Sequence, residues 1–204
     1  MAEYYQMKTA LKGKDDADDK AKELFERSEK ELKMIPNLYK AMANAPEILK
    51  SYMDGYQGFR EHSGFTPAEQ EVVFLVISYE NGCEYCMAAH STMADFYSNV
   101  PREVTDAIRE DKSIEDKKLS ALASMTREML LSRGRPESSV VEDFLNAGYS
   151  EKQLLDIVLA ISVKTLSNYT NHLFNTPVDN VFKAREYKVV QFAARVFNYL
   201  KHKL

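Results

Sequence analysis

The sequence predicts an all-helical protein, and three observations carry that expectation. Glycine and proline are scarce, 7 and 6 in 204 residues, too few for the many turns of a sandwich or barrel. Apolar residues recur at helical spacing through most of the chain. Two capping boxes, Thr66-Pro67-Ala68-Glu69 and Ser150-Glu151-Lys152-Gln153, mark helix starts directly ahead of apolar runs.

Taken in order, residues 1–15 are polar and charged and read as an N-terminal extension, and residues 16–204 as one helical domain. From Asp16 to Met34, Ala21, Leu24, Phe25, Ser28 and Leu32 fall near one face. Pro36 opens a short helix. Pro46 opens another, with Ile48, Leu49, Tyr52, Met53 and Tyr56 as its apolar stripe. Proline suits a helix start because its missing N–H would be unpaired there anyway.

After the Thr66 capping box comes Val72–Ile77, V-V-F-L-V-I. Its β-branched residues also suit a buried strand. The capping box and the E-Q-E lead-in favour a helix buried on most sides. Asn81-Gly82 breaks it, and a new helix is expected from about Cys83 to about Tyr97. A short helix begins at Pro101 and a long one spans Ile114 to Ser132, punctuated by Gly134 and Pro136. Ser139 to Asn146 is short. The capped helix from Ser150 runs through Leu166 toward His172, Pro177 ends that element, and Tyr187 to Leu204 forms the last helix. G-F-T-P-A-E-Q-E from Gly64 echoes G-Y-S-E-K-Q-L-L from Gly148. That echo suits either two related helical halves or two ordinary capped helices.

The net charge is −4 and no basic stripe is present, which argues against nucleic acid as a partner. The longest apolar run is far too short to span a bilayer, and the N-terminus shows no apolar leader segment. The expected setting is cytoplasmic and reducing, where a Cys-x-x-Cys pair is catalytic or metal-binding more often than a static staple.

Both cysteines of the chain fall in one run, N-G-C-E-Y-C-M-A-A-H, as Cys83 and Cys86, with His90 four residues on. In one helix, Cys83 and Cys86 share a face, and Cys86 and His90 are neighbours one turn further. A free thiol is only a few per cent ionised at neutral pH. A helix N-terminus contributes about 0.3–1 kcal/mol toward an anion, against about 1.4 kcal/mol per pKa unit, so a base is needed. His90 is placed to serve Cys86, and Glu71 to orient His90. Cys83 lies nearer the helix N-terminus, so both assignments of the nucleophile stand on the residues alone.

Other readings use the same residues. Cys83, Cys86 and His90 could bind zinc, with His62 or His172 as fourth ligand. The thiols could be small buried apolar groups, and His90 a satisfied structural residue. Tyr85 suits either the site or the core. Asn168, Asn171 and His172 read as capping or inter-helix hydrogen-bonding groups, with a site role as the minority reading.

With Glu71 included, the pattern is E-x11-C-x-x-C-x-x-x-H. It resembles the signature of the AhpD-like alkylhydroperoxidases of the carboxymuconolactone decarboxylase superfamily. The stretches from Ile35 and from Thr165 resemble peroxidase-related members of that group, and the likeness covers most of residues 30–185. The resemblance implies an AhpD-like helical fold and a homo-oligomer, a trimer or a hexamer. It also implies hydroperoxide reduction by a redox-active cysteine pair, restored by a dithiol or protein thiol reductant, with no metal or other cofactor. On that resemblance Cys86 attacks, Cys83 resolves, and His90 with Glu71 relays protons. One departure is Tyr85, which stands where well-known relatives carry a second histidine. The alternatives are a general protein disulfide oxidoreductase and a non-catalytic or zinc-binding helical module.

Overall fold

In the computed structural model, residues 4–186 are described, so the helix expected over Tyr187–Leu204 lies outside the described residues. Those residues form nine α-helices and two short 3-10 turns, with no strand among them. The α-helices are α1 (Asp19–Leu32), α2 (Asn37–Met42), α3 (Pro46–His62), α4 (Pro67–Glu80), α5 (Glu84–Phe96), α6 (Arg102–Arg109), α7 (Lys117–Leu131), α8 (Ser138–Asn146) and α9 (Glu151–Phe174). The 3-10 turns are Asn180–Phe182 and Ala184–Glu186.

α4 is the centre of the bundle, packed against α5, α6, α7 and α9. Every residue from Glu69 to Ser78 on it is buried. That explains the V-V-F-L-V-I run: a helix surrounded on all sides needs apolar residues all round, and tertiary burial outweighs β-propensity. Its start is fixed by the capping box. Glu69 N–H donates to Thr66 Oγ1 at 3.3 Å, and Thr66 N–H donates to Glu69 Oε2 at 2.8 Å.

Capping side chains also set where the structure departs from the expected boundaries. α1 begins at Asp19 because Asp18 accepts from Ala21 N–H, and α7 begins at Lys117 because Asp116 accepts from Leu119 N–H at 2.9 Å. An N-cap of this kind is worth about 1 kcal/mol, enough to move a start by a few residues. Pro36 and Pro101 are N-caps rather than first helical residues.

The two echoed segments meet in space. Gly64 and Gly148 both have positive φ, 71° and 93°, and the aromatic residue after each is buried. The Phe65 and Tyr149 rings lie 5.8 Å apart, edge to face. Apolar side chains gather in two clusters. One surrounds α4, α7 and α8; the other joins α1, α2 and α3 to Cys83, Tyr85, Cys86 and Val163. α3 and α9 approach so closely that a Cβ on Gly55 would come within 2.9 Å of Val163 Cγ2. That close approach, possible only at a glycine, brings α9 beside the cysteines, where Asn171 reaches both sulfurs.

Candidate active site

The turn Asn81-Gly82 reverses the chain between α4 and α5, with Gly82 at φ 64°. The turn is tied to α9, since Asn81 Nδ2 donates to Asn168 Oδ1 at 2.8 Å. Cys83 follows as the N-cap of α5, in extended backbone. It therefore sits just outside the helix that the sequence suggested it would open. Cys86 lies in the first turn of α5 and His90 one turn further along. All three side chains are buried.

Glu71, on α4, reaches this group. Its Oε2 accepts from His90 Nδ1 at 2.8 Å, and its Oε1 accepts from Arg60 Nη2 at 2.5 Å and from Ser98 Oγ at 3.4 Å. Burial pushes the Glu71 carboxyl up, but the Arg60 charge, the neighbouring His90 and the hydrogen bonds from both outweigh it and hold it below the usual range. Burial and the nearby Lys164 charge depress His90, against the pull of Glu71. The imidazole is therefore neutral at neutral pH, beside an ionised carboxylate. The proton of such a ring belongs on Nδ1, where it meets the carboxylate, which leaves Nε2 as the basic nitrogen. The ring packs 4.8 Å from that of Phe74.

No hydrogen bond joins His90 to Cys86. The sulfur partners come from α9 instead: Asn171 Nδ2 donates to Cys86 Sγ at 3.3 Å and to Cys83 Sγ at 3.7 Å, and Ser167 Oγ lies 3.9 Å from Cys86 Sγ. Burial opposes ionisation of Cys86. The hydrogen bond from Cys83, the Lys164 charge, the neighbouring His90 and the Ser167 hydroxyl outweigh it, and the thiol is held well below its ordinary value. Cys83 moves the other way, pushed up first by its hydrogen bond with Cys86 and then by burial. The two opposite shifts favour the thiolate on Cys86 and the thiol on Cys83.

Cys86, His90 and Lys164 line one cavity of about 420 Å³. Its remaining wall is largely apolar and aromatic, with Tyr39, Tyr52, Tyr56 and Phe182 among its residues. Lys164 was not singled out from sequence. It is fully buried and its Nζ has no hydrogen-bond partner. Ser167 and Arg60 were also missed. A signal existed for the first two: Lys164, Ser167, Asn168 and Asn171 recur at helical spacing through an otherwise apolar segment, and so form one polar stripe. Of the three polar residues read as structural, Asn168 does make an inter-helix hydrogen bond, Asn171 contacts both sulfurs, and His172 lies exposed.

Tyr85 anchors the chain after α9. Its hydroxyl donates to Asp179 Oδ2 at 2.5 Å and accepts from Leu38 N–H at 3.4 Å, and its ring stands edge-on to Phe182. Among the described residues, no group of three or more His, Cys, Asp or Glu side chains is arranged to hold a metal ion. No helix there is long and apolar enough to cross a membrane.

The helical fold is shared with solved structures. The carboxymuconolactone decarboxylase family profile matches residues 46–123, a span that contains Glu71, Cys83, Cys86 and His90. One similar structure is an AhpD-core, uncharacterized peroxidase-related protein from Ralstonia eutropha JMP134, at 17% identity and TM-score 0.74 over 85% of this chain and 93% of that one. Another is an uncharacterized peroxidase-related protein from Silicibacter sp. TM1040, at 18% identity and TM-score 0.71 over 87% and 93%. A third is a variant of the debrominase Bmp8 in complex with 2,3,4-tribromopyrrole, at 17% identity and TM-score 0.70 over 88% and 96%. No curated protein sequence matches the chain. Residues 46–123 are thus similar to the carboxymuconolactone decarboxylase family, and the chain shares its helical fold with these solved structures.

Proposed function

We propose that the protein is a thiol peroxidase that reduces hydroperoxides with the Cys83–Cys86 pair. The observation that carries this reading is the placement of Cys86 in the wall of a largely apolar cavity, among the groups that favour its thiolate. The Cys86 thiolate attacks the terminal oxygen of the O–O bond, and the bond's electron pair leaves on the alkoxide. Cys86 is ionised before the attack, and Nε2 of the neutral His90 relays a proton from solvent water to the alkoxide, releasing an alcohol. Cys86 is then a sulfenic acid. Cys83 attacks that sulfur, the hydroxyl leaves as water, and a disulfide forms. Glu71 holds the imidazole in the tautomer this needs. A dithiol restores the pair by exchange.

The test is turnover of cumene hydroperoxide with a dithiol donor. Cys86→Ser abolishes turnover. Cys83→Ser permits one attack and then stalls at a sulfenic acid that dimedone traps. Normal turnover in the Cys86 variant contradicts the role given to that residue.

A second reading is reductive dehalogenation. The aromatic lining of the cavity and the halogenated pyrrole held by a protein of the same fold favour it. In that case bromide release from a brominated pyrrole, accompanied by oxidation of both thiols, outpaces peroxide consumption. A homo-oligomer in the cytoplasm completes the proposal. Leu155, Val158, Tyr169 and Leu173 lie exposed along α9, an apolar face suited to self-association, which light scattering checks.

A further inference from the structure

We propose that a small dithiol reductant reaches Cys83 through a second cavity, separate from the one in which Cys86 meets its substrate. The proposal rests on the redox reading of the cysteine pair and adds where each half-reaction takes place.

Each sulfur faces its own space. Cys86 lines the cavity of about 420 Å³ and Cys83 does not. Cys83 lines a second cavity of about 910 Å³, and Cys86 does not. Tyr85 is the one residue lining both. Its hydroxyl and ring are fixed by Asp179, Leu38 and Phe182, so it stands as a partition. The walls differ in chemistry: the second includes Asn81, Glu84, Asn171, His172 and Thr176.

The second cavity also has unsatisfied hydrogen-bonding groups. Asn171 Oδ1 and Thr176 Oγ1 are buried without partners, and both residues line this space. A buried polar atom left unpaired costs about 1–3 kcal/mol. A ligand with thiol, hydroxyl or amide hydrogens recovers that cost. Asn171 already holds both sulfurs through its Nδ2, so a ligand on its Oδ1 sits beside the disulfide. Both sulfurs are buried, which selects a small dithiol over the rigid surface of a globular protein.

The chemistry runs in the same direction. In disulfide exchange the sulfur that leaves most readily is the one whose thiolate is better stabilised. Cys86 is that sulfur here, because Ser167, Asn171 and Lys164 surround it. Attack therefore falls on Cys83. One thiolate of the reductant bonds to Cys83 Sγ, the Cys83–Cys86 bond breaks, and Cys86 leaves as a thiolate. The second reductant thiolate closes on its own sulfur of the mixed disulfide and expels Cys83, which takes a proton. Two electrons pass from the dithiol to the pair.

The experiment separates the half-reactions in the full chain. Diamide, which accepts the two thiol hydrogens, forms the disulfide without any peroxide. Its reduction by dithiothreitol is then followed in wild type, His172→Trp and Val181→Trp. Both substituted positions are exposed rim residues, of the second and first cavities respectively. His172→Trp is expected to slow reduction about tenfold, equivalent to about 1.4 kcal/mol. Val181→Trp leaves reduction unchanged but slows oxidation of the reduced protein by cumene hydroperoxide. Thr176→Val, which removes only the unpaired hydroxyl, slows reduction alone. Equal effects of His172→Trp and Val181→Trp on reduction, or none from His172→Trp, overturn the proposal. If the His172→Trp effect appears but wild type consumes no peroxide, the peroxidase reading fails and the two-cavity proposal stands. If diamide forms no disulfide, both fall.

Discussion

Glu71 and His90, from the adjoining helices α4 and α5, are joined by a 2.8 Å hydrogen bond between Oε2 and Nδ1, with neither side chain open to solvent. The contact fixes which imidazole nitrogen is basic. Glu71→Gln keeps the shape of the side chain and removes its charge, so the ring is no longer held in one tautomer. We predict that peroxide turnover falls about 10²-fold, the lower end of the range for a lost acid–base group, while KM changes little. A pH profile of the variant distinguishes this from simple misfolding.

The positive charge of Lys164 favours the Cys86 thiolate. Lys164→Met fills the same buried volume without the charge. Cys86 should then lose much of its acidity, and the midpoint of its iodoacetamide alkylation against pH should rise by about one unit or more, equivalent to at least ~1.4 kcal/mol. Mass spectrometry assigns the alkylated residue. An unchanged midpoint means that Lys164 serves packing alone.

Arg60 balances the buried carboxylate. Its guanidinium donates to Glu71, to Tyr56 Oη at 2.7 Å and to Gln70 Oε1 at 3.1 Å. It also lies 4.9 Å from the centres of the Tyr56 and Phe74 rings. Arg60→Leu strands a charge in the core, and breaking a buried pair from one side costs about 3–5 kcal/mol. The urea midpoint should fall accordingly, and adding Glu71→Gln should recover part of the loss.

Acid should destabilise the protein before its carboxylates titrate. Burial, followed by the Lys164 charge, lowers His90, so the unfolded chain binds a proton at about pH 6.5 that the folded protein refuses until lower pH. In that interval unfolding takes up a proton, and stability falls as pH falls. Urea midpoints should therefore drop between pH 7.5 and pH 5 (about one unit either side of an ordinary imidazole). In His90→Gln the slope should flatten. A wild-type slope no steeper than that of the variant contradicts this.

The helical fold was legible because its signals are local. Capping boxes at Thr66 and Ser150, prolines at helix starts and the spacing of apolar residues all act within one or two turns. That Glu71, Cys83, Cys86 and His90 lie together was legible through their spacing. Lys164, Ser167 and Arg60 were not, because their roles depend on α9 and α3 packing beside α5, which no local signal encodes. The placing of His90 one turn beyond Cys86 did not bring a hydrogen bond between them, for a related reason. Spacing places two residues on one helix face, but the partners of each are set by neighbouring helices: Glu71 holds His90, and Asn171 and Ser167 attend the sulfur. The offset of Cys83 to the N-cap follows from the left-handed turn at Gly82.

The most direct test of the account is a titration of thiolate absorbance at 240 nm in the reduced protein, taken as the difference between wild type and Cys86→Ser. The account predicts that the thiolate signal of one sulfur is already present at pH 7 and lost only on acidification well below it. A signal that instead appears near pH 8.5, as for an unperturbed cysteine, contradicts it.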